Sequence, residues 1–313
     1  MSGGLLSRIA ETLFWTGRYI ERADDTARIV DVYVHRMLED PQADEDADCR
    51  ALLGVLGMPT AAGDRLDIGL TLYRLAYDQS NPSAIAGAVQ AARRGARSVR
   101  EVISSEMWQC LNVASHGLAG RRRSAERLGP HVFLEFIRER AALFFGLTES
   151  TMSHDDAWWF LVLGRSLERV DMTARLLLAR MPASQHEVGW PMLLRSCGAY
   201  ESFIRTHTWS GEPQPVIEFL LADRLFPRSV VHALGTAEQA LAALDPADGG
   251  LRDPARRSLG ELRTRLEYAD PERLPGLLPD LLPTLQLSCV QASAAISARY
   301  FSYEHAVTWA QEG

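Results

Sequence analysis

Two segments of the chain repeat the same charged residues at the same spacing. Residues 14–28 read FWTGRYIERADDTAR, and residues 162–175 read VLGRSLERVDMTAR. When the segments are aligned on Gly17 and Gly164, eight of the twelve residues from each glycine agree, and five of those eight are charged. A helix that only buries an apolar stripe does not need the same acids and arginines twice. The repeat therefore predicts a shared structural or chemical role.

The aspartate of each segment falls inside an apolar stripe when the segment is drawn as a helix. At about 100° per residue, Asp24 and Asp171 lie among apolar positions. A buried carboxylate is costly unless it is paired, and Arg28 and Arg175 stand four residues later, where an acid and an arginine meet on one helix face. The predicted arcs of charge are Arg18, Glu21, Asp24 and Arg28 in the first segment and Arg165, Glu168, Asp171 and Arg175 in the second.

These arcs have two interpretations. They form either a buried salt-bridge network that fixes the register of the helices, or a polar cleft between the two repeats that holds a ligand bearing both charges. In the second case Glu21 and Glu168 are candidate catalytic residues, since paired carboxylates in a dry cleft can have displaced pKa values. Arg22 and Arg169 point nearly opposite to the arcs, so we expect them to face solvent, another helix or a partner.

A further group of arginines lies on one face of a predicted helix. Arg93, Arg97 and Arg100 fall within about 60° of one another on the helical wheel. Guanidinium groups suit carboxylates and phosphates, so this face either neutralises the acidic arcs or binds such an anion. Arg228, in the segment FPRS, is expected to contribute to an anion site of this kind.

The sequence lacks the common enzymatic signatures. It contains no phosphate-binding loop, no nucleophile elbow of the G-x-S-x-G type and no H-E-x-x-H motif. None of the eight histidines has a glutamate three residues before it, which removes the Glu-x-x-His pairs of di-iron bundles. The four cysteines are scattered without metal-binding spacing. We therefore predict neither a metal site nor a cofactor.

Helical periodicity dominates the chain, and no segment alternates as a half-buried strand does. The predicted class is all-α. We expect a first helix at Leu6–Leu38, a matching helix at Asp156–Met181, single helices over about 80–115 and 189–207, a break near Gly129-Pro130, and a last helix at about Pro279–Tyr303.

The repeat extends beyond the opening segments. Asp78 and Asp223, which are 145 positions apart, each precede a proline and a long predicted helix. We expect a single domain over residues 1–313, a helical bundle built from two diverged copies of one helical unit, 5–115 and 155–245. A pseudo-twofold axis would relate the copies, and C-terminal helices would follow at 255–305.

Composition limits the compartment and the partners. The 313 residues are 47% apolar and carry a formal charge of −7, so a phosphate backbone is not attracted and nucleic acid is not an expected partner. No apolar run approaches the roughly 20 residues of a membrane span, and the N-terminus lacks the features of a signal peptide. We expect a cytoplasmic protein without a membrane partner.

Five ordered motifs together resemble the alpha-E family of bacterial all-helical proteins. They are LFWTGRYIERADDTAR, NPSAI with the following AARRGARSVRE, LGRSLERVDMTAR, CGAYESF and FLLADRLFPRSV, and they run from about Leu5 to Tyr303. The resemblance implies a genetic association with a circularly permuted ATP-grasp protein, often with a transglutaminase-like protein and sometimes with a proteasome-like peptidase. It further implies ATP-dependent amide-bond formation on peptides or small amino compounds.

Three hypotheses for function follow. In the first, the chain is a helical accessory component of an ATP-grasp amide ligase system and binds the partner enzyme or its peptide or amino-compound substrate. In the second, it is a catalyst that uses Glu21, Glu168 and the Asp–Arg pairs for acid/base transfer. In the third, it is a structural scaffold.

Overall fold

The computed structural model describes residues 7–39, 44–61, 63–180, 189–208, 211–245 and 253–301. All regular structure in these residues is helical, as the sequence predicts. The helices are α1 Ser7–Glu39, α2 Glu45–Val55, α3 Ile68–Leu72, α4 Ile85–Ser98, α5 Ser105–Leu128, α6 His131–Thr151, α7 Asp156–Leu178, α8 Trp190–Ser196, α9 Tyr200–Thr206, α10 Pro213–Ala222, α11 Val230–Leu244, α12 Pro254–Glu267 and α13 Leu274–Ile296. Single π-helical turns, Tyr73–Tyr77 and Ser297–Phe301, follow α3 and α13.

The two helices that carry the repeated segments lie at the centre of the fold. Helix α1 packs along α7, α4 packs along α1, and α11 packs along α7. Helices α6 and α8 also contact α1, while α13 contacts α7. Buried apolar side chains from α1 to α13 form one continuous hydrophobic cluster. The charged residues of α1 and α7 are therefore positioned by a core that surrounds them.

Both central helices are present close to their predicted ranges, although α1 continues to Glu39 and α7 ends at Leu178, before the predicted end. The predicted first residue, Leu6, and the predicted last residue of the matching helix, Met181, lie outside the described residues. The break predicted near Gly129-Pro130 is present, because α5 ends at Leu128 and α6 begins at His131. Proline disfavours helix in the residue before it, which explains the stop.

The helix predicted over about 80–115 is wrong, because the structure contains two helices there. Helix α4 ends at Ser98, and α5 begins at Ser105. Ser104 has an extended backbone, and its hydroxyl accepts a hydrogen bond from the Met107 amide at 3.2 Å, so it caps a new helix. Serine at this position satisfies an amide that has no partner inside the helix.

The single helix predicted over 189–207 is also divided. Helix α8 ends at Ser196 and α9 begins at Tyr200, with Gly198 between them at φ +61°. Glycine adopts this left-handed conformation without the steric cost that other residues incur. The turn brings Gly198 against the guanidinium of Arg28.

The last helix begins earlier than predicted, and its predicted end at Tyr303 lies outside the described residues. Helix α13 starts at Leu274 and contains Pro279 and Pro283. Leu274–Phe301 is the one stretch of the described chain with the length and apolar composition of a membrane span, although no apolar run of that kind was expected. A single stretch of this kind is weak evidence for a span, and α13 packs against α7 and α12.

Candidate functional site

Two glycines allow α1 and α7 to approach closely. A Cβ atom built on Gly17 would lie 2.2 Å from the carbonyl oxygen of Leu161, and one built on Gly164 would lie 2.0 Å from that of Phe14. Each glycine therefore lies against the backbone of the opposite helix, at the point where the repeated segments begin. No side chain larger than hydrogen fits between the helices there.

The two repeated segments exchange ion pairs between their Glu-Arg dipeptides. The glutamate of one dipeptide binds the arginine of the other. Arg22 Nε donates to Glu168 Oε1 at 2.5 Å, and Arg169 Nε donates to Glu21 Oε1 at 2.7 Å. Glu21 is 0% exposed and Glu168 is 1% exposed. Arg22 and Arg169 were expected to face solvent, another helix or a partner. In the structure each faces the other central helix.

The first cluster, here the Glu21 network, contains three carboxylates and three guanidinium groups. Its members are Glu21, Asp24, Asp25, Arg28, Arg169 and Arg228. Arg228 lies at its centre and forms ion pairs with Glu21 at 3.0 Å and with both Asp24 and Asp25. The pair predicted within one helix, Arg28 with Asp24, is present at 3.2 Å.

Arg228 therefore takes part in the carboxylate cluster instead of an anion site. Oxygen atoms of Glu21, Asp24 and Asp25 lie within 4.8 Å of one another, a spacing that suits a metal ion. The guanidinium of Arg228 bridges all three carboxylates and supplies positive charge at this place.

The second cluster, here the Glu168 network, contains two carboxylates and three guanidinium groups. Its members are Glu168, Asp171, Arg18, Arg22 and Arg175. Arg18 Nε donates to Glu168 Oε2 at 2.7 Å, so this arginine binds across the interface instead of within its own helix. Arg175 Nε donates to Asp171 Oδ2 at 2.8 Å, as the sequence predicts.

The two networks differ in the role of the arginine after each central glycine. Arg18 joins Glu168, but Arg165 pairs with Glu149 at 3.4 Å and lies over the ring of Phe145. Arg165 therefore lies beside the Glu21 network without a hydrogen bond to Glu21 among the described residues.

The networks hold their glutamates in the ionised form. Burial alone would raise the pKa of Glu21, but the guanidinium groups of Arg169 and Arg228 outweigh burial and lower it. The pKa of Glu168 is lowered in the same way, by Arg18 and Arg22 against burial. A general base that works near neutral pH needs a pKa close to that pH. A lowered pKa makes each glutamate a weaker base, and a catalytic role for Glu21 and Glu168 stays a prediction.

Asp25 has the opposite shift. Burial, followed by the nearby carboxylates of Glu21 and Asp24, raises the pKa of Asp25 to about 7, although Arg228 opposes the rise. Its Oδ2 atom is buried and has no hydrogen-bond partner among the described residues. Three carboxylates thus share the guanidinium of Arg228, and Asp25 retains a proton more readily than Glu21 does, because the pKa of Glu21 is lowered.

The Glu168 network borders a cavity. A cavity of about 130 Å³, here the Glu168 cavity, lies among α1, α7 and the turn before α4. It is lined by Arg22, Thr26, Leu56, Ser83, Glu168, Asp171, Met172 and Arg175. A larger groove of about 560 Å³, here the α2 groove, is lined mainly by α2 and α7, including Tyr33, Val55 and Leu178. Arg175 lines both spaces.

The other predicted arginines lie apart from both networks. Arg93 Nε donates to Asn112 Oδ1 at 2.7 Å, and the guanidinium groups of Arg93 and Arg100 lie over the ring of Trp108. Arg97 is exposed. The expectation that this face neutralises the acidic arcs is therefore wrong, because its contacts lie on α5.

Sequence reasoning left several residues of the site out. Arg22 and Arg169 form the crossing ion pairs, and Thr26, Ser83 and Met172 line the cavity. The signal for the arginines was present, because both repeated segments contain the same Glu-Arg dipeptide. No comparable pattern marks the cavity residues, since they come from separate elements.

A family model matches most of the chain. The family model Alpha-E, described as a predicted alpha-helical domain with a conserved ER motif, matches residues 5–301. In this chain, Glu21-Arg22 and Glu168-Arg169 are Glu-Arg dipeptides, and they supply the reciprocal ion pairs between α1 and α7.

The chain is also similar to longer mycobacterial proteins. One uncharacterized protein of Mycobacterium bovis and two of Mycobacterium tuberculosis are each 26% identical to it over 298 residues, which cover 87% of this chain. The match covers 34% of each relative, so the chain spans about a third of the length of the curated relatives it matches. No solved structure matches the chain.

Proposed function

The chain belongs to the Alpha-E family, and we propose that it is the helical substrate- or partner-binding component of an ATP-grasp amide ligase system. Its partners in this proposal are a circularly permuted ATP-grasp protein and a transglutaminase-like protein, and its substrate is a peptide or an amino compound. The ATP-grasp partner supplies the activated intermediate, since the sequence has no phosphate-binding loop. The cytoplasm, where ATP is available, is the proposed location.

One observation carries the binding role. Two buried networks share the same crossing ion pairs, and in the described part of the chain Glu168, Asp171 and Arg175 of one network line a cavity. This open space leaves the charged groups of Arg22, Glu168 and Asp171 within reach of a small ligand. The cavity therefore supports ligand binding at this network.

We further propose that segments 5–115 and 155–245 are two diverged copies related by a pseudo-twofold axis between α1 and α7. The reciprocal contacts of Gly17 with Leu161 and of Gly164 with Phe14 support this relation, as do the crossed Glu–Arg pairs. The packing of α4 on α1 and of α11 on α7 extends the same pattern to neighbouring helices.

The length of the relatives supports a role as a component. In the mycobacterial relatives the matching segment is about a third of a longer polypeptide. A unit that acts with a partner protein can be joined to further polypeptide in some relatives and act as a separate chain in others. The catalytic hypothesis has less support, because the pKa values of Glu21 and Glu168 are lowered.

A reconstituted system tests the proposal with matched variants. We expect the wild-type chain to co-purify with the ATP-grasp protein of its own genome and to raise ATP turnover in the presence of a peptide or an amino compound. Glu168→Gln should lower this stimulation by about tenfold or more, and Glu21→Gln by less than about twofold. Both glutamates are buried and bind two arginines, so the two changes should cost similar stability.

Urea unfolding of both variants provides the control, with turnover measured under conditions in which each remains folded. If stimulation falls in proportion to lost stability in both variants, the networks are structural and the scaffold hypothesis replaces the proposal. Wild-type chain that neither co-purifies nor changes ATP turnover would exclude the ATP-grasp partnership.

A further inference from the structure

Arg228 fills in one network the space that is open in the other. Its guanidinium contacts Glu21, Asp24 and Asp25, and its backbone oxygen accepts a hydrogen bond from the Thr173 hydroxyl at 3.1 Å. The side chain thus closes the Glu21 network from the turn that precedes α11.

Ser83 occupies the corresponding position beside the Glu168 network. It stands five residues after Asp78, as Arg228 stands five residues after Asp223. Ser83 lines the Glu168 cavity together with Thr26, which corresponds to Thr173 in the repeated segments. Where the first network has a guanidinium, the second therefore has a short hydroxyl side chain and about 130 Å³ of open space.

The loss of the arginine is matched by the loss of a carboxylate. Met172 stands where the first segment has Asp25, and it also lines the Glu168 cavity. Counted as fully ionised, the ion pairs of the Glu21 network balance three carboxylates with three guanidinium groups. Those of the Glu168 network set two carboxylates against three guanidinium groups. The Glu168 network therefore has one guanidinium more than it has carboxylates, although the cavity lining itself contains two of each, Arg22 and Arg175 with Glu168 and Asp171.

The walls of the cavity also supply donors. Arg22 uses Nε and Nη2 on Glu168, and Arg175 uses Nε on Asp171. Each guanidinium has five N–H donors, so both have donors left for a further acceptor, as do the hydroxyls of Ser83 and Thr26. Arginine pairs and hydroxyls are the groups that recognise carboxylates in proteins.

The volumes of the Glu168 cavity and the α2 groove indicate which parts of a ligand each can hold. The Glu168 cavity has the volume of about four water molecules, enough for a carboxylate and the carbon that bears it. The α2 groove is about four times larger, and its lining includes Tyr33, Val55 and Leu178 together with the charged residues Asp46 and Arg50. Because Arg175 lines both, a ligand held by this arginine can extend from one into the other.

We infer that the Glu168 cavity binds the carboxylate of a ligand whose apolar part lies in the α2 groove. This inference rests on the proposed function and names the ligand class of its site, an acid with an aliphatic body such as a free acid or the C-terminus of a peptide. A cationic ligand is not expected there, because the unused N–H donors of Arg22 and Arg175 bind acceptors.

Calorimetry with defined probes tests this assignment without any ATP-grasp protein. We expect hexanoate to bind with a dissociation constant at least about tenfold lower than that of hexanamide, and hexylamine to show no binding. Trileucine with a free or an amidated C-terminus separates a peptide end from a small acid, and inorganic phosphate measures the preference over another oxyanion. Two outcomes overturn the inference. The first is that hexylamine or phosphate binds more tightly than both hexanoate and trileucine. The second is that hexanoate and hexanamide bind equally.

A paired exchange locates the site. Ser83→Arg with Met172→Asp rebuilds in the Glu168 network the arginine and carboxylate of the other network, so it should fill the cavity and weaken hexanoate binding by at least about tenfold. If the double variant does not fold, Ser83→Trp replaces it. Ser83 is exposed at the rim of the cavity, so the larger side chain should block the cavity. Arg97→Ser, at an exposed arginine remote from the cavity, should bind as the wild type does. Unchanged binding in both cavity variants overturns the assignment.

Discussion

At the scale of single residues, the sharing of arginines among carboxylates controls the electrostatics of the core. The sequence contains 33 arginines and no lysine. A guanidinium keeps its charge throughout the range in which the protein is folded. Changes of charge within the two networks therefore come from carboxylates, and Asp25 changes its charge near neutral pH because its pKa is raised to about 7.

Asp25 should make the protein less stable as the pH rises toward neutrality. The unfolded aspartate ionises near 3.8 and the folded one near 7, so between these values the folded state binds the extra proton and loses stability as the proton becomes scarce. Asp25→Asn should remove a decline of about 2 kcal/mol between pH 5 and pH 7. Urea unfolding across this range measures the effect.

The control for this prediction is Glu39→Gln, an exposed change at the end of the same helix, which should leave the pH profile unchanged. Glu21 and Glu168 have lowered pKa values, so their contribution is present above pH 4.5 and is lost only as the pH falls further. An identical slope in wild type and Asp25→Asn between pH 5 and pH 7 would show that Asp25 is ionised throughout.

Removal of Asp24 should destabilise the protein strongly. Asp24 is 6% exposed and pairs with both Arg28 and Arg228, so Asp24→Ala leaves buried guanidinium groups with fewer partners. The expected loss is about 3–5 kcal/mol in the free energy of unfolding. Glu126→Ala, which breaks the exposed pair with Arg122, should cost only about 0–1 kcal/mol. A loss below about 1 kcal/mol for Asp24→Ala would contradict its structural role.

At the scale of elements, the distance between α1 and α7 determines whether the crossed ion pairs can form. The glycines at the start of the repeated segments let the backbones meet, and one turn later the glutamates reach arginines of the opposite helix. The close approach and the charge pairs are thus parts of one arrangement, because a wider separation would leave buried charges without partners.

Gly164→Ala should separate the two central helices. Its Cβ would lie 2.0 Å from the carbonyl oxygen of Phe14, which belongs to a backbone that cannot move aside without shifting α1. We expect a loss of about 3 kcal/mol or more, at the upper end of overpacking effects. Thermal or urea unfolding gives the value.

Gly146→Ala is the matched control, since Gly146 lies within α6 with no atom within 4 Å of the added methyl group. Alanine favours helix over glycine by about 1 kcal/mol, so this change should leave stability equal or raise it. Equal stability of the two variants would indicate that α1 and α7 are farther apart than the structure shows.

At the scale of the whole molecule, local patterns predicted the elements better than the places where they stop. The spacing of apolar residues predicted α1 and α7, and proline predicted the break before α6. The break before Ser105 was missed because its cause is a serine cap, and the break at Gly198 because its cause is a single left-handed glycine. Both signals are weak in a sequence, since serine and glycine also occur inside helices.

The sequence by itself determined the helical class, the repeated segments and the pairs Asp24–Arg28 and Asp171–Arg175, because partners four residues apart are placed by the helix alone. Only the tertiary structure decided which guanidinium groups reach Glu21 and Glu168, since helical periodicity gives the direction of a side chain but not the helix that faces it. It also decided that Arg228 closes one network while Ser83 leaves a cavity at the other. That difference depends on where two turns lie relative to α1 and α7, which the packing of the whole core determines.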